Sequence, residues 1–333
     1  MPHHSDQPDN RATDSSAADS SAAAGRATEP AVGSSSFLPG DGLQRRPHGS
    51  GDAWVTGPDG RRFWGTFGAA GLLVLHPAGK VLLQHRAEWS HFGGTWGLPG
   101  GARHEGESAL HGAMREASEE AGVPKQILQP LFSSRLDLGW WSYTSVIVRA
   151  KEEFTPVIGD AESLELRWVA IDDVDELDLH PGFASAWPAM RPDLLLRPVV
   201  IIDSANVVGS RPDGWWRDRA GAATRLAERV SGLHGNGIPS DVLGLAHHRW
   251  WPEYRMVVEG QANAIHTIDG VSVIRSSRDG DSTIVEQVDA AGSTPDAPLF
   301  VVTADRELSG RVRELGARVI RPSNFLEALA ERH

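Results

Sequence analysis

"GGARHEGESALHGAMREASEEAGV", residues 100–123, is the stretch on which the fold of this chain turns. It holds five acids: Glu105 and Glu107 precede a helix, and Glu116, Glu119 and Glu120 lie within one. Leu110, Ala113, Met114, Ala117 and Ala121 recur at helical spacing and are predicted to face a core, which gathers the three later glutamates on a neighbouring face. Carboxylates three and four residues apart on a helix repel by about 0.2–0.5 kcal/mol per pair. A bound cation would cancel that repulsion, and three converging carboxylates make the hard, oxygen-rich site that suits Mg2+ or Mn2+.

Working outward, the text upstream reads as strand "AAGLLVLHP", turn "AGK", strand "VLLQHRA" and loop "EWSHFGGTWGLPGG". Downstream come strands within "LFSSRLDLGWWSYTSVIVRA" and "LELRWVA", then a short helix. Strands and helices mix here without strict alternation, which predicts a layered sandwich over residues 53–197. The Pro-containing "HPGFASAWPAMRPDLLLRP" closes that pattern. From Pro198 to His333 strands and helices alternate, from "PVVIID" to "NFLEALAER", as in a mostly parallel sheet covered by helices. The expectation is therefore an α/β chain of two domains, 53–197 and 198–333, with few contacts across the junction near Arg197. Residues 1–52 are rich in Ser, Ala, Gly, Asp and Pro and nearly devoid of large apolar side chains, so they are expected to form a disordered tail.

With 44 acidic against 32 basic residues the net charge is −12, which argues against coating nucleic acid through bulk positive charge. The absence of cysteine removes disulfides, thiolate metal sites and cysteine nucleophiles together. No apolar run approaches the roughly 20 residues that span a bilayer. The expectation is a cytoplasmic protein with no membrane partner.

The spacing in the opening stretch is more specific than a charge cluster. Gly101, Glu107, Arg115-Glu116-Ala117, Glu119-Glu120 and Gly122-Val123 resemble the Nudix box, G-x5-E-x7-R-E-U-x-E-E-x-G-U with U aliphatic, provided Ala117 counts as small aliphatic. A merely solvated acidic face would not require the flanking glycines or Arg115. The resemblance implies an α/β/α sandwich that hydrolyses a nucleoside diphosphate linked to another group, with Mg2+ or Mn2+ as cofactor. It implies Glu116, Glu119 and Glu120 as metal ligands, Glu116 as the usual base, and the Gly101 carbonyl turned to a cation. Arg115 and Glu107 would pair to brace the loop. Glu162 or Glu165, before "RWVA", is the alternative base. Arg86 is a candidate for a phosphate and Trp96 for the substrate; His85, Trp89 and His91 lie nearby without a decided role.

In the second half, Asp203 ends a strand, Asp281 opens a helix and Asp305 ends another strand. Strand ends and helix starts of a parallel sheet share one edge, where such folds place ligands, so three acids there could hold another divalent cation. Each could equally be a helix cap. "DSANVVG", "GDSTI" and "VTADREL" resemble the NYN branch of PIN-like nucleases, which implies Asp203, Asp281 and Asp305 as metal ligands and Asn206 as their support. Ser282 stands where many relatives have a second Asp, which favours a silent RNA- or partner-binding module over a ribonuclease. "GWWRDR" and "HHRWWPEYR" interleave basic residues with Trp215, Trp216, Trp250 and Trp251, a mixture that RNA would use and that a core would explain as well.

Overall fold

The computed structural model describes residues 49–211, 214–292 and 295–331. The tail expected over 1–52 lies outside these, apart from 49–52. Strands β1 (Trp54–Thr56) and β2 (Arg62–Trp64) form an antiparallel pair. Then come β3 (Ala69–Leu75), β4 (Lys80–Arg86), β5 (Trp96–Gly97), β6 (Gly100–Ala102) and helix α1 (Ala109–Ala121). They are followed by β7 (Leu128–Asp137), β8 (Ser142–Ala150), β9 (Ser163–Ala170) and α2 (Pro181–Met190).

Every residue of β3 is buried, as expected of a strand covered on both faces. Its even positions Ala70, Leu72 and Val74 pack with Leu110, Ala113, Ala117 and Ala121 of α1. Its odd positions Leu73 and Leu75 share the opposite core with Phe183, Trp187 and Met190 of α2. Helix, sheet, helix is thus dictated by the period of two in the strand and the period of 3.6 in the helix.

Beyond the junction lie β10 (Val199–Asp203), α3 (Ser204–Gly209), α4 (Arg219–Ser231), α5 (Leu233–Asn236), β11 (Ile238–Pro239) and α6 (Ser240–Leu243). β12 (Arg249–Trp250), β13 (Glu253–Val258), β14 (Val271–Arg275) and α7 (Gly280–Ala291) come next. β15 (Leu299–Val302), α8 (Arg306–Glu314), β16 (Arg318–Ile320) and α9 (Pro322–Ala328) complete the described chain. Among the described residues the strands order as β14-β13-β10-β15-β16, every pairing parallel, as the alternation predicts. One face packs on α7 and α8, the other on α3, α4 and α9.

The junction differs from expectation. β12 leaves its own half and pairs antiparallel with β7, matching Trp250 to Phe132 and Arg249 to Ser133, while β11 pairs with β12. Trp250 is 0 % exposed, its ring centroid 4.8 Å from that of Phe132 and its Nε1 donating to the Ala246 carbonyl at 2.7 Å. His247 stacks on Phe132 at 4.3 Å and reaches Asp193 Oδ2 at 2.9 Å. One hydrophobic core runs from Leu73 through Trp187 and Trp250 to Phe325, and the described residues fall within one compact unit. The physical reason is the open edge of β7, whose unpaired backbone groups would otherwise face water. Trp250 and Trp251 are therefore joint and core residues, not an RNA face: Trp251 packs over the α1 core with Nε1 bound to the His234 carbonyl. Trp216, 54 % exposed, remains at the surface. Among the described residues no helix is long and apolar enough to cross a membrane.

Candidate active site

Helix α1 starts at Ser108, whose hydroxyl accepts the His111 N–H, and stops at Gly122 with φ 62°. These caps fix the phase of the helix, so Glu116 and Glu120 point at the backbone of β6. Glu116 is 7 % exposed and lies so close to Gly101 that a Cβ there would stand 2.6 Å from its Oε1. A side chain at 101 would displace the Glu116 carboxylate from this position. Glu120, 2 % exposed, accepts the Gly100 N–H at 2.9 Å.

Arg115 organises the cluster. Its Nε and Nη2 form a two-pronged pair with Glu107, each at 3.0 Å, and Nη2 also donates to the Ala102 carbonyl at 2.9 Å. Nη1 reaches Glu116 Oε1 at 2.9 Å and the exposed Glu119 at 3.4 Å. Burial works against the Glu107 charge, yet the Arg115 hydrogen bonds and the His104 N–H together hold its carboxyl below the usual carboxylate range. The same Glu107 hydrogen bonds, against burial, raise Arg115 above its ordinary value. Glu107 and Arg115 thus pair as the sequence resemblance implies.

Sequence reading missed Asp160. Residues 157–162 dock on the end of α1, with Val157 N–H on the Ala121 carbonyl at 3.1 Å and Gly159 N–H on that of Glu120 at 2.9 Å. This brings Asp160 and Glu162 to Glu120, so that ligand atoms of all three lie within 4.8 Å of one another. Glu119, with its side chain 62 % exposed, stands outside that group. Of the two alternative bases, Glu162 joins the cluster. Glu165 points elsewhere, bound to Arg167 at 2.7 and 2.8 Å, which holds its carboxyl below the ordinary range.

A single guanidinium thus serves Glu107, Glu116 and Glu119 while Glu120, Asp160 and Glu162 crowd beside it. Oxygen donors gathered in this number, with Glu116 and Glu120 buried, fit a hard divalent cation.

Arg86, half-buried at the end of β4, donates to the His91 carbonyl at 3.3 Å and has no carboxylate partner among the described residues. Burial and then the Arg86 charge lower His91, and burial, Arg86 and His91 push His180 down to about 4. Both imidazoles are biased towards the neutral form beside the Arg86 guanidinium. Trp96 is a correction: only 7 % exposed, it stacks on His85 at 4.7 Å and carries the Arg167 guanidinium on its ring at 4.5 Å, which leaves no face for a substrate.

In the second half, Asp203, Asn206, Asp281 and Asp305 line one cavity of about 470 Å³ at the carboxyl ends of β10 and β15. Three of the four have local work. Asp203 caps α3 through the Asn206 N–H at 3.0 Å and accepts Thr303 Oγ1 at 2.9 Å. Asn206 Oδ1 accepts the Ala304 N–H at 2.8 Å, and Asp305 caps α8 through Leu308. The cap of α7 is Asp279, not Asp281, and it binds the Ser282 N–H at 2.7 Å. Burial raises the Asp203 and Asp281 carboxyls, the latter helped by Asp305. Glu259, missed in the sequence, adds its charge to both and accepts the Gly280 N–H at 2.7 Å.

A family profile, the NUDIX domain, matches residues 65–190. "Putative 8-oxo-dGTP diphosphatase 3" of Mycobacterium tuberculosis is 46 % identical over 153 residues, 43 % of this chain and 70 % of that protein. The chain belongs to the Nudix family. It is a hydrolase acting on pyrophosphate bonds. A "Nucleoside triphosphate pyrophosphatase/Nudix hydrolase fusion protein" of Bifidobacterium longum is 44 % identical over 149 residues, 42 % of this chain and 31 % of that one. Among solved structures, the M. smegmatis Nudix hydrolase RenU is 47 % identical and is matched over 94 % of its length and 43 % of this chain, with a TM-score of 0.40.

Proposed function

We propose that this Nudix hydrolase cleaves the phosphate anhydride of a nucleoside triphosphate with Mg2+ or Mn2+ as cofactor, an oxidised purine such as 8-oxo-dGTP being the first substrate to test. The observation that carries the reading is the buried Glu116–Glu120 pair held against Gly100 and Gly101, with Asp160 and Glu162 beside it. The likeness to the M. tuberculosis protein supports the substrate. Glu116, Glu120, Asp160 and Glu162 would hold the cation, with Glu119 and the Gly101 carbonyl at the rim. A divalent ion held there would supply charge neutralisation on the diphosphate and a lower pKa for the attacking water. Glu116 takes the proton from that water, while Arg115 and Glu107 fix its carboxylate and Arg86 draws in the phosphates. Neither Glu107 nor Arg115 touches substrate. A nucleotide pool and a chain without cysteine both suit the cytoplasm. The test is release of pyrophosphate from 8-oxo-dGTP and from dGTP with added Mg2+; no turnover of either would remove the nucleotide reading.

A second reading concerns 198–333, kept as a functional unit with a PIN-like NYN character. Its support is the cavity that gathers Asp203, Asp281, Asp305 and Asn206 at the point where strand order reverses between β13 and β15 around β10. RNA is the partner this reading requires, and Trp216 is the surface aromatic that would meet it. Mg2+- or Mn2+-dependent cleavage of labelled RNA by the full chain, lost in Asp203→Asn, tests it; binding without cleavage would make the unit a silent module.

A further inference from the structure

Tyr143 has no part in the reading above, yet its hydroxyl lies over the strand that pairs with Gly100. It sits on β8 in register with Ala69 of β3, and its phenol crosses over Gly71, where an added Cβ would stand 2.1 Å from Tyr143 Oη. Gly71 is the ladder partner of Gly100, and the Gly100 N–H is the group that binds Glu120 Oε2 at 2.9 Å. Neighbouring strands run about 4.8 Å apart, so two short steps separate the hydroxyl from the carboxylate.

Tyr143 is half-buried, and among the described residues no hydrogen bond holds its hydroxyl. Tyr254 makes a useful contrast. Its hydroxyl is sealed in the core without a partner, whereas Tyr143 Oη is not among the sealed atoms and can meet a ligand. Burial pushes the Tyr143 phenol up to about 12, with Arg86 pulling it down and Glu120 and Glu116 adding to the rise. At neutral pH it is a hydrogen-bond donor within electrostatic reach of both Arg86 and the acidic cluster.

Building on nucleotide hydrolysis as the activity, we infer that Tyr143 Oη donates a hydrogen bond to a phosphate oxygen of the bound substrate, between Arg86 and the Glu116–Glu120 pair. Gly71 is a positioning residue: its bare Cα is what lets the hydroxyl lie there.

Calorimetric titration of the full chain with imidodiphosphate, a diphosphate that cannot be hydrolysed, tests this with Mg2+ present. Tyr143→Phe is expected to weaken binding about tenfold or more, the loss typical of a hydrogen bond to a charged group, with an unchanged melting temperature. Gly71→Ala should weaken it similarly in the wild type but add less in the Tyr143→Phe background, because the 2.1 Å clash with the hydroxyl is gone and only the tight contacts with Leu98 Cβ and the ring carbon Cζ, at 3.1 and 3.2 Å, remain. A merely structural tyrosine would give independent, additive losses. Wild-type affinity in Tyr143→Phe, additive losses, or no imidodiphosphate binding by the wild type would each overturn the inference. Turnover of 8-oxo-dGTP is measured on the same wild-type sample. Diphosphate binding that depends on Tyr143 without such turnover would sink the nucleotide substrate and leave the hydrogen bond standing.

Discussion

The two acidic clusters are built on opposite principles. Around Glu116 and Glu120 the carboxylates are buried against glycines, and a guanidinium shared by three acids is built into the group. Around Asp203 no arginine is hydrogen-bonded to the acids among the described contacts; Asp203, Asn206 and Asp305 instead cap helices or tie down a neighbouring loop, and burial raises the Asp203 and Asp281 carboxyls. The first cluster gathers more carboxylates than its arginine pairs with, a concentration of acids that points to a site for chemistry. The second is stable as it stands, so its cavity alone carries the case for a ligand.

The comparison breaks first at Glu116. Glu116→Gln should lower kcat by roughly 10²–10⁴-fold if it accepts the proton from water. A loss below tenfold would pass the role to Glu162, to be checked by Glu162→Gln.

Next in size is the joint that ties the two halves into one unit. Trp250→Ala should destabilise the full chain by about 3–5 kcal/mol, because a fully buried indole leaves a cavity under Phe132. Residues 53–197 expressed alone, which expose the β7 edge and the Phe132 face, should aggregate or unfold by circular dichroism. A soluble, folded fragment would restore the independence that the sequence suggests.

How legible was this arrangement? The box could be read because its requirements are local: a glycine where a carboxylate approaches, an arginine reaching back eight residues to Glu107, a glycine to end the helix. The alternation after Pro198 likewise named its parallel sheet. Asp160 could not be read, since it arrives on a loop some 40 residues beyond Glu120 with no periodicity to mark it. β12 pairs through two residues, too few for any pattern, and the Trp pair beside it suits a core and an RNA face equally in sequence. Nothing in the glycine-rich text around Trp96 marks what covers it; the His85 and Arg167 side chains that do so come from β4 and β9.

A smaller effect concerns pH. His180 is held neutral, at about 4, and its Nδ1 accepts the Gly182 N–H to cap α2. A histidine depressed in the folded state contributes stability that is present above its unfolded value near 6.5 and lost as pH falls below it. Urea titrations should therefore show roughly 2 kcal/mol less stability at pH 5 than at pH 7 from this residue, and His180→Asn should flatten that part of the profile. Smallest of all is Asp203→Asn. Because burial already disfavours the Asp203 charge, stability should change by no more than about 1 kcal/mol and nucleotide hydrolysis should be unaffected.

The most direct test is the Mg2+ dependence of 8-oxo-dGTP hydrolysis by the full chain, measured for the wild type, Glu120→Gln and Asp203→Asn. Removing a charged oxygen donor from the first cluster should raise the Mg2+ midpoint about tenfold or more in Glu120→Gln, while Asp203→Asn follows the wild-type curve. An unshifted midpoint in Glu120→Gln, or a shifted one in Asp203→Asn, would contradict the assignment of the hydrolytic metal site to the Glu116–Glu120 cluster.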